Sequence, residues 1–495
     1  MWPISFTLPE TVPPAASATL SLARFAGGYD QTHVPTTIEI RDGLLIASRR
    51  PQESGSLLVP WPIDGLGLVL TATATIRDRA QPYNLLVELA RGKLNQVRCQ
   101  SADWTEMGLR LPGDFVAQLS SLTRLFGTAV HTDSSAEASA ISERVLQQSH
   151  TLAARLVQIY IEQLFATRLH EGAKLTTRFA ARSTAAPFPS HAAEYRGTFN
   201  AAQVAIRWRD IEPLEGRYEW AATDQAVSAA VAAGVPITGG PVIDLTSDYL
   251  PAWASVWGGD LLTLAAFMCD FLETVVRRYK AHVRRWVVVA GANQSDALDI
   301  TDDDRFRLVA RLFEAAAHVD PKLELVLSIA QPWGDYMGSE DQTITPLAFA
   351  DDLSRVGVKL SAVEIELRPG VLPRGSLPRD LLETSRTLDL FSVLGLPVEV
   401  VLSCPSSAAP DANAVGGQSV WEQGWPAGPS AEHQAAWGAA FAALALCKPH
   451  VRAVTWDHWS DTTPHLTPNG GIIDAGGSPK ALLARLRGLR VTYLA

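Results

Sequence analysis

Two glutamates stand two residues apart in the apolar, β-branched run AVEIELRPG, at Glu364 and Glu366. On a strand, that spacing puts both carboxyl groups on one face. Carboxyl groups held close together repel, so one pKa rises toward that of a useful acid while the other group stays ionised. A pair poised in this way suits acid–base or nucleophilic attack on a glycosidic bond. Two further carboxylates close apolar runs, Asp244 in GGPVIDL and Asp457 in VTWDHW. Each is suited to proton transfer or to holding a substrate hydroxyl. The plainer outcome for the glutamates is a structural ion pair with Arg178, Arg207 or Arg368.

Around these carboxylates the sequence offers polar and aromatic groups that could hold a sugar. The stretch SIAQPWGDYMG carries Gln331, Trp333, Asp335 and Tyr336 about a Pro-Trp-Gly turn. Asn293 and Gln294 follow another apolar run. The chain has 14 tryptophans, whose indole faces either pack in a core or stack on sugar rings. A long Pro-, Ala-, Ser- and Gly-rich segment, 403–434, contains Trp421 and Trp425 and reads as an aromatic flap or as disorder. No HExxH, EF-hand, P-loop or GxSxG pattern occurs, and His282, His458 and His465 stand singly, so neither a metal nor a cofactor is expected.

The elements that must position these groups alternate from about residue 173 onward. Eight apolar strand candidates fall at 174–181, 198–206, 235–243, 286–292, 323–330, 360–367, 397–402 and 451–457, with helical stretches between them. That alternation predicts an α/β fold, a closed (β/α)₈ TIM barrel over 173–495. Residues 1–80 read as a small N-terminal β-sandwich of short alternating strands. Residues 81–172 read as a helical module linking it to the barrel.

Two segments of the barrel resemble a known family. FNAAQVAIRWRDIEPLEGRYEW is similar to the family 10 glycoside hydrolases (xylanase-type, clan A), in which a Lys-Trp pair precedes an Ile-Glu-Pro turn. Arg207 and Trp208 fall on that pair, followed by Glu212, Pro213, Gly216, Tyr218, Trp220 and Asp224. VTWDHWSDTTPHLTPNGGIIDAGGSPKALLARL resembles the family's last strand through Trp456, Asp461, Asp474, Pro479 and Lys480. The resemblance implies a sugar site at the carboxyl ends of the strands. It also implies an acid/base glutamate in an Asn-Glu pair ending strand four and a nucleophilic glutamate ending strand seven.

Neither glutamate is where the family has it. In strand four the pair falls on Ala290 and Gly291, or on Asn293 and Gln294 if three residues are inserted; in strand seven the nucleophile falls on Leu402, with Glu399 three residues earlier. The family matches Glu364 and Glu366 with a Gln and a His, and Asp244 with a sugar-binding His. The expectation is therefore a divergent glycoside hydrolase with relocated carboxylates, Glu366, Glu364, Asp244 and Asp457. Arg207, Trp208, Asn293, Gln294, Gln331, Trp333, Tyr336, Trp456, Trp459 and Asp461 would bind an oligosaccharide or glycoside. The alternatives are a catalytically inactive carbohydrate-binding pseudoenzyme and a barrel used as an assembly scaffold.

Composition narrows the partners. The net charge of −10 and the lack of a basic stripe argue against nucleic acid. No uninterrupted apolar run reaches the ~18 residues of a membrane span. The amino terminus lacks a signal-peptide pattern, and the four cysteines show no metal spacing. A cytoplasmic location is expected.

Overall fold

The computed structural model describes residues 2–49, 54–184, 188–245, 249–294, 298, 300–338 and 342–495. Its C-terminal part is a closed parallel barrel. Strands one to eight are Arg178–Ser183, Ala202–Val204, Ile237–Gly239, Arg285–Ala290, Glu324–Ile329, Ala362–Leu367, Val398–Leu402 and Val451–Trp456. Strand eight pairs with strand one and strand three with strand four, so the sheet has no open edge. Strand three breaks at Gly240 and Pro241 and resumes at Ile243–Asp244, still paired to strand four. Each of the eight stretches read from the sequence overlaps one of these strands, six of them enclosing it. Strand one starts four residues later than expected, because Leu175 instead bridges Leu494 near the chain's end.

Alternation along each strand sorts residues between helix layer and barrel interior. On strand six, Val363, Ile365 and Leu367 join the large apolar core between strands and helices, while Ala362 joins Val287 and Val326 in a separate small cluster inside the barrel. Glu364 and Glu366 therefore share the interior face with Ala362. Gly239 permits this close packing: a Cβ there would lie 2.4 Å from the Trp286 ring.

The first 84 residues form two four-stranded sheets. Three helices follow, Leu85–Glu106, Gly113–His131 and Ser135–Arg168. Asn84 and Ser134 cap the first and third of these by accepting from Val87 N and Glu137 N.

These N-terminal elements are seated on the barrel. Phe165 stacks on Tyr493 with centroids 3.8 Å apart. Asp380, which caps helix Leu381–Phe391, meets Lys93 at 2.5 Å and His150 at 2.9 Å. Leu70 N donates to Pro378 O at 2.9 Å. The segment after strand seven is ordered here: Ser419–Val420 pairs with Val371–Leu372, and Trp425 is buried. A Cβ on Gly67 would lie 2.7 Å from the Trp425 backbone, so an N-terminal strand presses directly on this segment. No described helix is long and apolar enough to cross a membrane.

Candidate functional site

The four carboxylates read from the sequence all lie at the carboxyl end of the barrel, and each meets a guanidinium. Arg182 of strand one donates to Glu364 Oε1 at 3.2 Å and to Asp457 Oδ1 at 2.7 Å. Arg368 donates to both oxygens of Asp457, at 3.1 Å each, and to Glu366. Arg374 donates to Glu366 Oε1 at 3.0 Å, to Glu366 Oε2 at 3.3 Å and to Asp244 Oδ1 at 2.6 Å. The result is one buried chain, Glu364–Arg182–Asp457–Arg368–Glu366–Arg374–Asp244, with carboxylate and guanidinium alternating throughout.

Its electrostatics separate the two glutamates. Burial, with Glu399 and Glu366 nearby, pushes Glu364 up to about 7 against the pull of Arg182. For Glu366 burial acts upward too, but Arg368 and Arg374 outweigh it and hold the carboxyl down at about 2. Asp457 is likewise depressed, burial being outweighed by Arg368 and Arg182. With Glu364 protonated, three carboxylates face three guanidiniums and the chain is neutral. Ser328 Oγ lies 2.8 Å from Glu364 and 3.2 Å from Glu366, joining the two.

Arg368 alone among the three arginines named from the sequence takes part. Arg178 approaches Glu324 at 3.6 Å, and Arg207 meets Asp210 at 2.9 Å. Arg182 and Arg374 escaped sequence reading. Arg182 shares strand parity with Arg178, which was a usable signal; Arg374 reaches back from a loop, which pattern alone does not reveal. Glu399 lies deeper and pairs with Arg285.

The aromatic residues expected at the mouth require correction. Trp208 stacks on Phe271 at 5.3 Å and donates to Glu212 at 2.7 Å, outside the barrel. Trp456 donates to Gly470 O at 2.9 Å and packs edge-on against Trp437 of helix Ala431–Cys447. Trp459 packs on Tyr195 and Phe199. All three are nearly fully buried: alternation turns Trp456, at the end of strand eight, toward the helix layer, while Trp208 and Trp459, beyond their strands, pack on helix side chains.

Most of the polar candidates hold the chain's own backbone. Asn293 exchanges hydrogen bonds with Ala330 N and O at 3.0 and 2.7 Å, clamping the loops after strands four and five. Gln331, at φ 44°, donates to Pro373 O and Gly375 O at 2.5 and 2.6 Å. Tyr336 donates to Ile344 O at 2.9 Å. Gln294 is buried beside the Gly291 turn. Arg207 lies over the Tyr249 ring, its guanidinium carbon 5.0 Å from the centroid.

The room available is unevenly placed. Among the described residues, the cavity at the mouth is about 20 Å³, lined by Arg182, Asp244, Tyr249, Asp457, His458 and His465 among others. That holds about one water. A cavity of about 290 Å³ opens instead where the N-terminal elements meet the barrel. Trp333, Arg379, Asp380, Lys93, Gln96 and Glu383 line it. The Arg379 guanidinium lies 4.5 Å over the Trp333 ring.

Histidines that stand singly in the sequence are brought together beside the mouth. His458, Asp461 and His465 present their ligand atoms within 4.8 Å of one another. Burial brings the His458 imidazole down to about 4.

Comparison with known proteins fits this architecture. The model of the family described as Glycosyl hydrolase family 10 matches residues 172–342, from just before strand one to the loop after strand five. Endo-1,4-beta-xylanase A of Fusarium oxysporum f. sp. lycopersici is 29% identical over 92 residues, 19% of this chain and 28% of that protein. Endo-1,4-beta-xylanase 1 of Gibberella zeae is 28% identical over 109 residues, 22% of this chain and 30% of that protein. The matched part thus spans less than a third of either relative. Among solved structures, xylanase 10B from Thermotoga maritima has TM-score 0.46 at 17% identity, covering 66% of this chain and 96% of that one. A GH10 protein from Paenibacillus barcinonensis has TM-score 0.47 at 17% identity, covering 65% and 96%. The C-terminal part is a TIM barrel whose first five strands are similar to the family 10 glycoside hydrolases. The family match ends before strand six, where Glu364 and Glu366 stand.

Proposed function

We propose that this chain binds carbohydrate on a family 10-like barrel without hydrolysing it. The observation that carries this reading is the uninterrupted Arg–carboxylate chain. A glycosidase needs one carboxyl free to protonate the leaving oxygen and another free to attack or to activate water. Here Glu366 and Asp457 each have both oxygens engaged by guanidiniums. Glu364 has a suitable pKa, about 7, but lies deeper than Glu366 beneath the same network. This arrangement favours the inactive reading over a hydrolase with relocated carboxylates.

The ligand is a neutral or weakly charged oligosaccharide held in the cavity of about 290 Å³ beside Trp333 and Arg379. An indole face, amides and charged groups of both signs, such as Trp333, Gln96, Lys93 and Glu383 provide there, suit a polyhydroxylated ring. Four unpaired cysteines, including exposed Cys99, favour a reducing compartment such as the cytoplasm.

The test pairs calorimetry on xylo-, cello- and manno-oligosaccharides with a turnover assay on aryl glycosides. Binding without turnover is the expected result. Turnover that disappears in Glu366→Gln would overturn the proposal, as would failure of every oligosaccharide to bind at millimolar concentration.

A further inference from the structure

We propose that His458, Asp461 and His465 form a binding site for a divalent transition-metal ion of the zinc type. The three residues follow strand eight with the spacing His-x₂-Asp-x₃-His. His458 Nε2 lies 3.4 Å from Asp461 Oδ1, and His465 Nε2 lies 3.9 Å from the same oxygen. Around a tetrahedral zinc with bonds of about 2.0–2.1 Å, neighbouring ligand atoms are about 3.3 Å apart. The His458–Asp461 spacing already matches, the His465–Asp461 spacing must close by about 0.6 Å, and the three ligand atoms, which lie within 4.8 Å of one another, converge on an ion once the rings turn.

A second observation points to a ligand independently. His458 is buried, yet its ring nitrogens make no well-formed hydrogen bond: Nδ1 has no partner and Nε2 has only the 3.4 Å approach to Asp461 Oδ1. Leaving both nitrogens of a buried imidazole poorly satisfied is costly. A cation on Nε2 removes part of that cost. The imidazoles of His458 and His465 stack with centroids 4.2 Å apart and planes 9° from parallel, so binding one ion through both requires a ring to turn out of the stack.

The surrounding groups hold these ligands as an outer shell does. His465 Nδ1 lies 2.6 Å from Thr463 O, which fixes the proton on Nδ1 and turns Nε2 toward the cluster. Lys480 takes Asp461 Oδ2 at 2.5 Å, and Gly471 N donates to Oδ1 at 2.6 Å. Asp411 Oδ2, held by Asn469 N at 2.7 Å, is hydrogen-bonded to His465 Nε2 at 2.8 Å, and an ion would take the place of the proton between them. The Gly470–Gly471 pair makes the space: a Cβ would come within 2.8 Å of His458 Cε1 at the first and 2.5 Å of Asp461 Oδ1 at the second. Two imidazoles and carboxylate oxygen favour zinc or a similar first-row ion over calcium or magnesium. His458 and His465 also line the small mouth cavity, which places the cation beside space for one water.

The experiment uses the full chain, stripped with chelator, then titrated with Zn²⁺ by calorimetry and with Co²⁺ by visible absorption. One equivalent should bind, and the Co²⁺ form should show tetrahedral d–d bands. His458→Gln gives up the 3.4 Å approach to Asp461 and the stack on His465, so its fold is checked by metal-free melting, and in the folded variant Zn²⁺ affinity should fall at least about 100-fold. His465→Gln should lose the site as well. Substoichiometric uptake by the wild type, or wild-type affinity in folded His458→Gln, would overturn the proposal.

Discussion

Arg374 grips Glu366 through two nitrogens, Nη2 at 3.0 Å from Oε1 and Nε at 3.3 Å from Oε2, while its Nη1 reaches Asp244 at 2.6 Å. A loop arginine thus closes the strand-six carboxylate on the side facing the mouth and ties strands three and six together.

Removing Arg374 should therefore damage stability. Arg374→Met leaves Asp244 and Glu366 buried with fewer counter-charges, and breaking a buried ion pair costs about 3–5 kcal/mol. Urea unfolding at pH 7 reads this directly. A loss below about 1 kcal/mol would mean that Arg374 contributes little to the network.

Glu364 should give stability a pH dependence. Its folded pKa is raised from 4.5 to about 7. The folded state therefore keeps a proton that the unfolded chain releases, and stability falls as pH rises from about 4.5 through about 7. The full difference is about 3 kcal/mol. Glu364→Gln should flatten this part of the pH profile, and parallel profiles for variant and wild type would rule Glu364 out as its source.

The junction between the N-terminal helices and the barrel should depend on Asp380. Its carboxyl is held well below the usual range: burial acts upward, but Lys93 and His150 outweigh it. Asp380→Asn leaves Lys93, itself only 5% exposed, without its anion, at a cost of about 3–5 kcal/mol. Lys93→Met combined with Asp380→Leu should recover much of the loss in the same unfolding measurement.

Trp333→Ala tests where the sugar sits. Losing an aromatic stacking partner should weaken oligosaccharide binding about tenfold, or ~1.4 kcal/mol. Calorimetry on the variant reads the change. Unaltered affinity would place the ligand away from the junction cavity.

The barrel was legible because its signals are local and repeated. Each strand is a short apolar run with helix-period stretches between, a pattern that a closed barrel or an open doubly wound sheet buries, and no GxGxxG turn favours the open sheet. The shared face of Glu364 and Glu366 was legible for the same reason, since strand parity fixes it. Residue type misled at Trp208, Trp456 and Trp459, which suggested a sugar platform but pack against the helix layer, where they bury more apolar surface.

The sequence by itself determined the barrel and the inward direction of the strand-six glutamates. Only the tertiary structure decided their partners. Arg182, Arg368 and Arg374 lie 182, 2 and 8 positions from the glutamates they meet, and Asp411 lies 54 positions from His465. Apart from Arg368, which stands beside Glu366 in the chain, these ion pairs and ligand clusters form through space between segments brought together by closure of the whole barrel, so spacing along the chain does not encode them.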